Sequence, residues 1–212
     1  MAGLNYLDFK NRVLMLINQY SMAGDDIALS YNNQADYVAK IPALLNSAQN
    51  YLATTTRPIY ASLRLDWDRA EVREGFYIFT MPSDFWQMVG RGIPVLKAGE
   101  LTMYHNYRWF GKDRMLIPAK DRAEMEVQYY RYPKEVPAEP VDTFALDNEV
   151  DAQDAAAYYV AANLVMQDNA FAYSSLYNEF ESRRQQMQER PQTEYDRVED
   201  LYGNPGDGCY GV

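Results

Sequence analysis

The apolar residues of this 212-residue chain change their spacing twice, and that change limits the folds open to it more than any other feature. Between Tyr6 and Tyr20, Phe9, Val13, Leu16, Ile17 and Tyr20 recur at intervals of three and four, the period of one helix face. Asn5 or Asp8 can cap its start, and Gly24 follows its end. A loop over 21–32 leads to a second helix, from about Gln34 to Thr54, with Val38, Ile41, Leu44, Leu45, Ala48, Tyr51 and Leu52 as its apolar set. Pro42 predicts a kink or break near Lys40, because proline has no N–H to donate and its ring meets the carbonyl four residues back. Arg57-Pro58 ends the helical pattern.

From Ile59 to Tyr132 the period shortens. IYASLRL, GFYIFTMP, QMVGRGIPVL, ELTMYH, RMLIPA and EMEVQYYRYP are short, rich in β-branched and aromatic residues, and divided by turn residues such as Asn106, Gly111 and Lys112-Asp113. With no long helices between them, an antiparallel sandwich or small barrel is expected rather than a parallel sheet. After the proline-bearing connector KEVPAEPVDTFALDNEV the helical pattern returns at about Asp151 and reaches Glu189, with an interruption at Gln167-Asp168-Asn169. Pro191 ends it, and PQTEYDRVEDLYGNPGDGCYGV carries acids, aromatics, Gly and Pro without a period. The expected class is α+β. One helical core is formed by 1–56 with 141–190, a central antiparallel β insertion occupies 57–140, and an extended tail occupies 191–212.

The charge is uneven. Residues 1–56 hold three Lys/Arg against four Asp/Glu, 57–140 thirteen against twelve, and 141–212 four against fourteen, so the net −10 belongs to the last third. A protein whose main task is gripping phosphate backbones needs clustered cations instead. The lone cysteine, Cys209, cannot form an internal disulfide, which fits a reducing compartment. MAGLNYLDFK shows neither the basic nor the apolar region of a secretory signal, and no apolar run nears the ~20 residues a membrane span needs. The expectation is a soluble, cytoplasmically made protein without a membrane partner.

Candidate chemistry is sparse. His105, the single histidine, lies between aromatics in LTMYHNYRWF and reads as a strand residue; Cys209 sits among glycines that cannot hold a nucleophile in place. Asp147, Glu149, Asp151 and Asp154 lack the order of a calcium loop and read as helix-start and surface charge. Asp147 and Glu149 are the pair a hydrolase would use, but a connector is a poor place to fix an acid and a base. In the β segment Arg57, Arg64, Arg69, Arg73, Arg108, Lys112, Arg114, Lys120 and Arg122 alternate with Tyr104, Tyr107, Trp109 and Phe110, the pattern of a single-strand nucleic-acid surface. Acids match those cations almost one for one, and ion pairs between copies fit equally well. No cofactor, metal or catalytic site is expected.

The segment from Asp151 is apolar over more than the ~100° arc a single-sided helix needs. Tyr158, Ala162, Val165, Ala172, Leu176, Phe180 and Met187 form one face; Tyr159, Leu164, Met166, Phe171, Tyr173 and Tyr177 widen it. Two accounts fit: a core helix wrapped by its own chain, or one shared with a neighbouring subunit, whose contact face would be Tyr159, Met166, Phe171, Tyr173 and Tyr177.

NYLDFKNRVLMLIN with IPALLNSAQNYLA resembles the opening of tailed-bacteriophage head-to-tail adaptor (head-completion, or connector) proteins. FYIFTMPSDFWQMV resembles the strand, Pro-x-Asp-Phe turn and strand of their β module, VQYYRYPKEV its closing strand, and DAAAYYVAANLVMQDNAFAYSSLYNEFESR their C-terminal helices; most of 4–189 is covered. The resemblance implies a non-enzymatic virion protein. It would form a homo-oligomeric ring, usually of twelve copies, docked under the portal protein. There it extends the DNA channel, passes double-stranded DNA and joins the head to the next tail or adaptor protein, after assembly in the bacterial host cytoplasm. It also gives the tail a purpose, portal docking, with Tyr195, Val198, Leu201, Tyr202 and Tyr210 as anchors, and makes Asp147, Glu149, Asp151 and Asp154 candidate channel or interface acids.

Overall fold

The computed structural model of this chain describes residues 4–21, 31–97 and 100–189. Asn5 starts the first helix: its side-chain oxygen accepts the Asp8 amide at 2.8 Å, satisfying one of the donors that a helix start leaves open. Helix α1 (Tyr6–Ser21) buries Tyr6, Phe9, Val13, Leu16 and Ile17. The Tyr20 side chain and most of the expected 21–32 loop lie outside the described residues. Helix α2 (Tyr31–Thr55) continues through Pro42, so the break expected near Lys40 does not occur. Ile41, Pro42 and Leu45 are all buried, and this packing outweighs the roughly 3 kcal/mol that an interior proline costs a helix.

The C-terminal helical pattern resolves into α3 (Val150–Val165) and α4 (Ala170–Glu189). Asn169 makes the division, its side-chain oxygen capping the new helix at the Ala172 amide, 2.9 Å away. Helix α4 folds back antiparallel on α3: Asp154 meets Arg183, and the rings of Tyr159 and Phe180 lie 5.2 Å apart. Eleven of the 16 residues of α3 are buried, six of them alanines that let α1, α2 and α4 all approach it. Much of the wide apolar circumference read from the sequence is therefore covered within the subunit.

Between the helices lie nine described strands: β1 (Ile59–Arg64), β2 (Glu71–Arg73), β3 (Phe76–Thr80), β4 (Phe85–Met88), β5 (Ile93–Lys97), β6 (Glu100–Tyr104), β7 (Arg108–Phe110), β8 (Arg114–Pro118) and β9 (Glu126–Arg131). All pairings are antiparallel, in sheets ordered β1-β9-β4, β2-β3-β8-β7 and β5-β6. Leu65, Phe79, Met88, Ile93, Tyr104, Met115 and Val127 bring side chains from all three sheets into one cluster, the face-to-face packing of a sandwich. The β2–β3 turn is Glu74-Gly75, both with positive φ (49° and 81°), the geometry that matches hairpin twist. A second cluster joins all four helices with Val136 and Leu146. The chain is thus α+β, with a helical core and an antiparallel β insertion.

Polar side chains hold the connector after β9 to the helices. Asn46 pairs with the Val136 backbone twice, each bond 2.8 Å. Gln153, nearly fully buried, accepts the Leu4 amide at 2.7 Å and donates to the Asn148 carbonyl at 2.6 Å, so one side chain fastens both the N-terminus and the connector to α3. Among the described residues no helix is long and apolar enough to cross a membrane.

Candidate interaction surfaces

The residues expected to meet a neighbouring subunit divide into two groups. Tyr159, Tyr173 and Tyr177 are half-buried in an aromatic cluster with Tyr51 and Phe180: Tyr173 stacks on Tyr177 at 5.6 Å, and Tyr177 lies 5.7 Å from Phe180. Burial, then the nearby Glu181 charge, pushes the Tyr177 hydroxyl up in pKa. Met166 and Phe171, by contrast, flank the α3–α4 turn and are 55% and 72% exposed. Beside Met166 a groove of about 430 Å³ opens between α2 and the end of α3, lined by Ala39, Lys40, Leu44 and Asn163 among others.

Tyr37 on α2 fixes that turn, donating its hydroxyl to Asp168 at 2.5 Å. Burial, followed by the hydrogen bond and charge of Asp168, pushes the Tyr37 pKa up to about 12. A raised folded-state pKa contributes stability that is complete below the unfolded value near 10 and lost as pH rises through about 12. Tyr37→Phe should therefore melt with a shallower alkaline decline than the wild type across pH 10–12, measured by thermal denaturation at stepped pH.

The four candidate acids are placed unequally. Asp154 lies between Arg12 (3.1 Å) and Arg183, joining α1, α3 and α4. Asp147 accepts Arg131 at 2.5 Å and the Lys134 amide at 3.0 Å. Glu149 precedes α3 with its carboxylate 3.9 Å from the buried Arg57, and Asp151 is exposed in the first turn. Two of the four thus serve internal clamps. The tail anchors Tyr195, Val198, Leu201, Tyr202 and Tyr210 lie outside the described residues.

In the β module most of the alternating cations are engaged. Arg64 pairs with Glu124, Arg69 with Asp66, Arg73 with Glu74 and Arg122 with Asp68, while Tyr104 is buried and donates to Asp121 at 2.9 Å. Arg108 and Arg114 have no ion-pair partner among the described residues; Arg108 lies over the Phe76 ring at 6.0 Å. His105 bonds the Arg91 carbonyl through Nδ1 at 2.9 Å and closes over Gly92, where a Cβ would lie 2.7 Å from the ring. Among the described residues no group of three His, Cys, Asp or Glu side chains is placed to hold a metal ion.

Sequence reasoning missed the second aromatic surface. On the outer side of β1-β9-β4, Tyr60, Trp86, Tyr130 and Tyr132 form a contiguous ladder, with Tyr60 and Tyr130 4.9 Å apart and Trp86 6.0 Å from Tyr130. The signal was present as the alternation through Tyr129 and Tyr130, but only pairing reveals which tyrosine faces out: Tyr129 is buried and Tyr130 is not. The chain matches no protein-family model, and no curated protein is significantly similar to it.

Proposed function

We propose that this chain is a virion structural protein, a ring adaptor that docks beneath a phage portal, extends the DNA channel and joins head to tail. The observation that carries the reading is the presence of exposed aromatic side chains on both packed bodies: Phe171 at the end of the helical hairpin, Phe110 at 64% exposure on the β module. A subunit of a closed ring makes a head-to-tail contact, so two different faces of it must be adhesive. The order of helices, β module and helices, which resembles that of head-to-tail adaptors, supports the same reading. Under it the acidic last third lies near DNA, where like charge keeps the wall from holding the duplex within a screening length of ~10 Å.

The test is capture by the portal. The full chain mixed with its portal should give a stoichiometric complex, read by native mass measurement. A chain lacking residues 191–212 should lose that complex while keeping its own melting temperature. Equal capture of the truncated chain removes the tail from docking, and no capture of either removes the adaptor reading.

A second reading, single-strand nucleic-acid binding, is favoured by one observation: Arg108 and Arg114 stand beside Phe110 without carboxylate partners among the described residues. It requires affinity for an oligonucleotide that falls steeply with salt.

A further inference from the structure

We infer that the outer face of the four-stranded sheet β2-β3-β8-β7 is the surface that one copy of this chain offers to the acidic helical body of the next. The inference rests on the adaptor reading and names the two faces its ring would join. Phe79, Met115 and Ile117 point into the β core, so the alternation of a strand sends Phe76, Ile78, Leu116 and Arg114 to the other side. Register completes that side: Arg108 stands opposite Leu116, Phe110 opposite Arg114, and Arg73 opposite Phe76. The result is an apolar strip bordered by three arginines and by Glu71, which stands opposite Ile78; Arg108 and Arg114, at the β7 end, have no carboxylate partner among the described residues.

The chemistry of that strip selects its occupant. At the β7 end Arg108 and Arg114 stand side by side without described carboxylate partners, so two copies of that end repel each other and it cannot pair with itself, whereas at the β2 edge Glu71 and Glu74 balance Arg73. Its partner must be acidic and must differ from it, which makes the contact heterologous. Residues 141–189 supply nine carboxylates against two arginines. On α4, Phe171, Glu179 and Glu189 lie within one exposed arc, and neither glutamate has an ion-pair partner among the described residues. Burial of Phe110 and Phe171 would provide the attraction, and the charges would set register, since exposed ion pairs add little energy on their own.

The test is a charge exchange on the full chain. Sedimentation should show the wild type associating as its concentration rises. Arg108→Glu with Arg114→Glu, and separately Glu179→Arg with Glu189→Arg, should each weaken association by about tenfold or more, with unchanged melting temperatures. Mixing the two variants should restore assembly, because exchanged faces attract each other and the remaining faces are native. A monomeric wild type, a mixture that stays dissociated, or variants that assemble like the wild type overturn the inference. Portal capture in any of those cases leaves the adaptor reading standing. Dissociation on deleting 191–212 would assign the face to the tail. Loss of oligonucleotide binding with assembly intact would assign it to nucleic acid; either result also overturns the inference.

Discussion

Phe180→Ala is expected to destabilise the helical body by about 3–5 kcal/mol, the range for removing a fully buried phenylalanine whose site collapses only in part. Phe180 is 0% exposed, and the rings of Tyr159, Tyr177 and Tyr51 surround it at 5.2, 5.7 and 6.2 Å. Tyr159 and Tyr177 are half-buried and Tyr51 is exposed, so moving any of them inward to fill the space would bury a hydroxyl further. Domains of this kind are stable by only ~5–15 kcal/mol, so the loss is a large fraction of the whole. Urea denaturation followed by circular dichroism at 222 nm would measure it, because the helices dominate that signal. A shift equivalent to less than ~1 kcal/mol would mean that the α3–α4 hairpin does not close over this ring.

Asp147→Asn is expected to cost about 1.5–3 kcal/mol at neutral pH, the worth of hydrogen bonds to a charged group. The carboxylate is 14% exposed and ties Arg131 at the end of β9 to the connector that leads into α3. Burial pushes its pKa up, but the Arg131 hydrogen bond, the Lys134 amide and the two positive charges outweigh it and hold the group below the usual carboxylate value. A depressed folded-state pKa contributes stability that is present above the unfolded value near 4 and lost as pH falls through the folded one. Asparagine preserves the shape and removes the charge. The variant's deficit should therefore be full at pH 7 and shrink below pH 4, as read by denaturant midpoints at both. A deficit that stays constant would assign the acid sensitivity to another carboxylate.

Local pattern was enough for the parts of the fold that depend on neighbours in sequence. The stripe Phe9–Val13–Leu16–Ile17 is buried in α1, and Asn5 caps it. It was insufficient where distant residues decide. Pro42 looks like a breaker until Ile41 and Leu45 are seen to hold it in the core. Strand β2 has three exposed residues and no apolar alternation, so its only local signal was the Glu74-Gly75 turn beside it. The acids read as a surface for other molecules illustrate the same limit. Asp154 meets Arg12 across 142 residues of sequence, a partner that no periodicity reveals. Three of the five residues of the expected subunit face, Tyr159, Tyr173 and Tyr177, line the subunit's own cluster because α4 doubles back at Asn169.

The gene places the β module between α2 and α3, yet α1 and α2 complete their core only by packing on α3. A ribosome adding about 5–20 residues each second emits roughly a hundred residues after α2 before any of α3 emerges. For those seconds the first two helices have their apolar stripes uncovered while the strands behind them can already close on one another. Nascent chains of this protein should accordingly be clients of hydrophobe-binding chaperones until α3 is synthesised, and a truncation after β9 but before Val150 should leave a folded β module attached to an unpaired, aggregation-prone pair of helices.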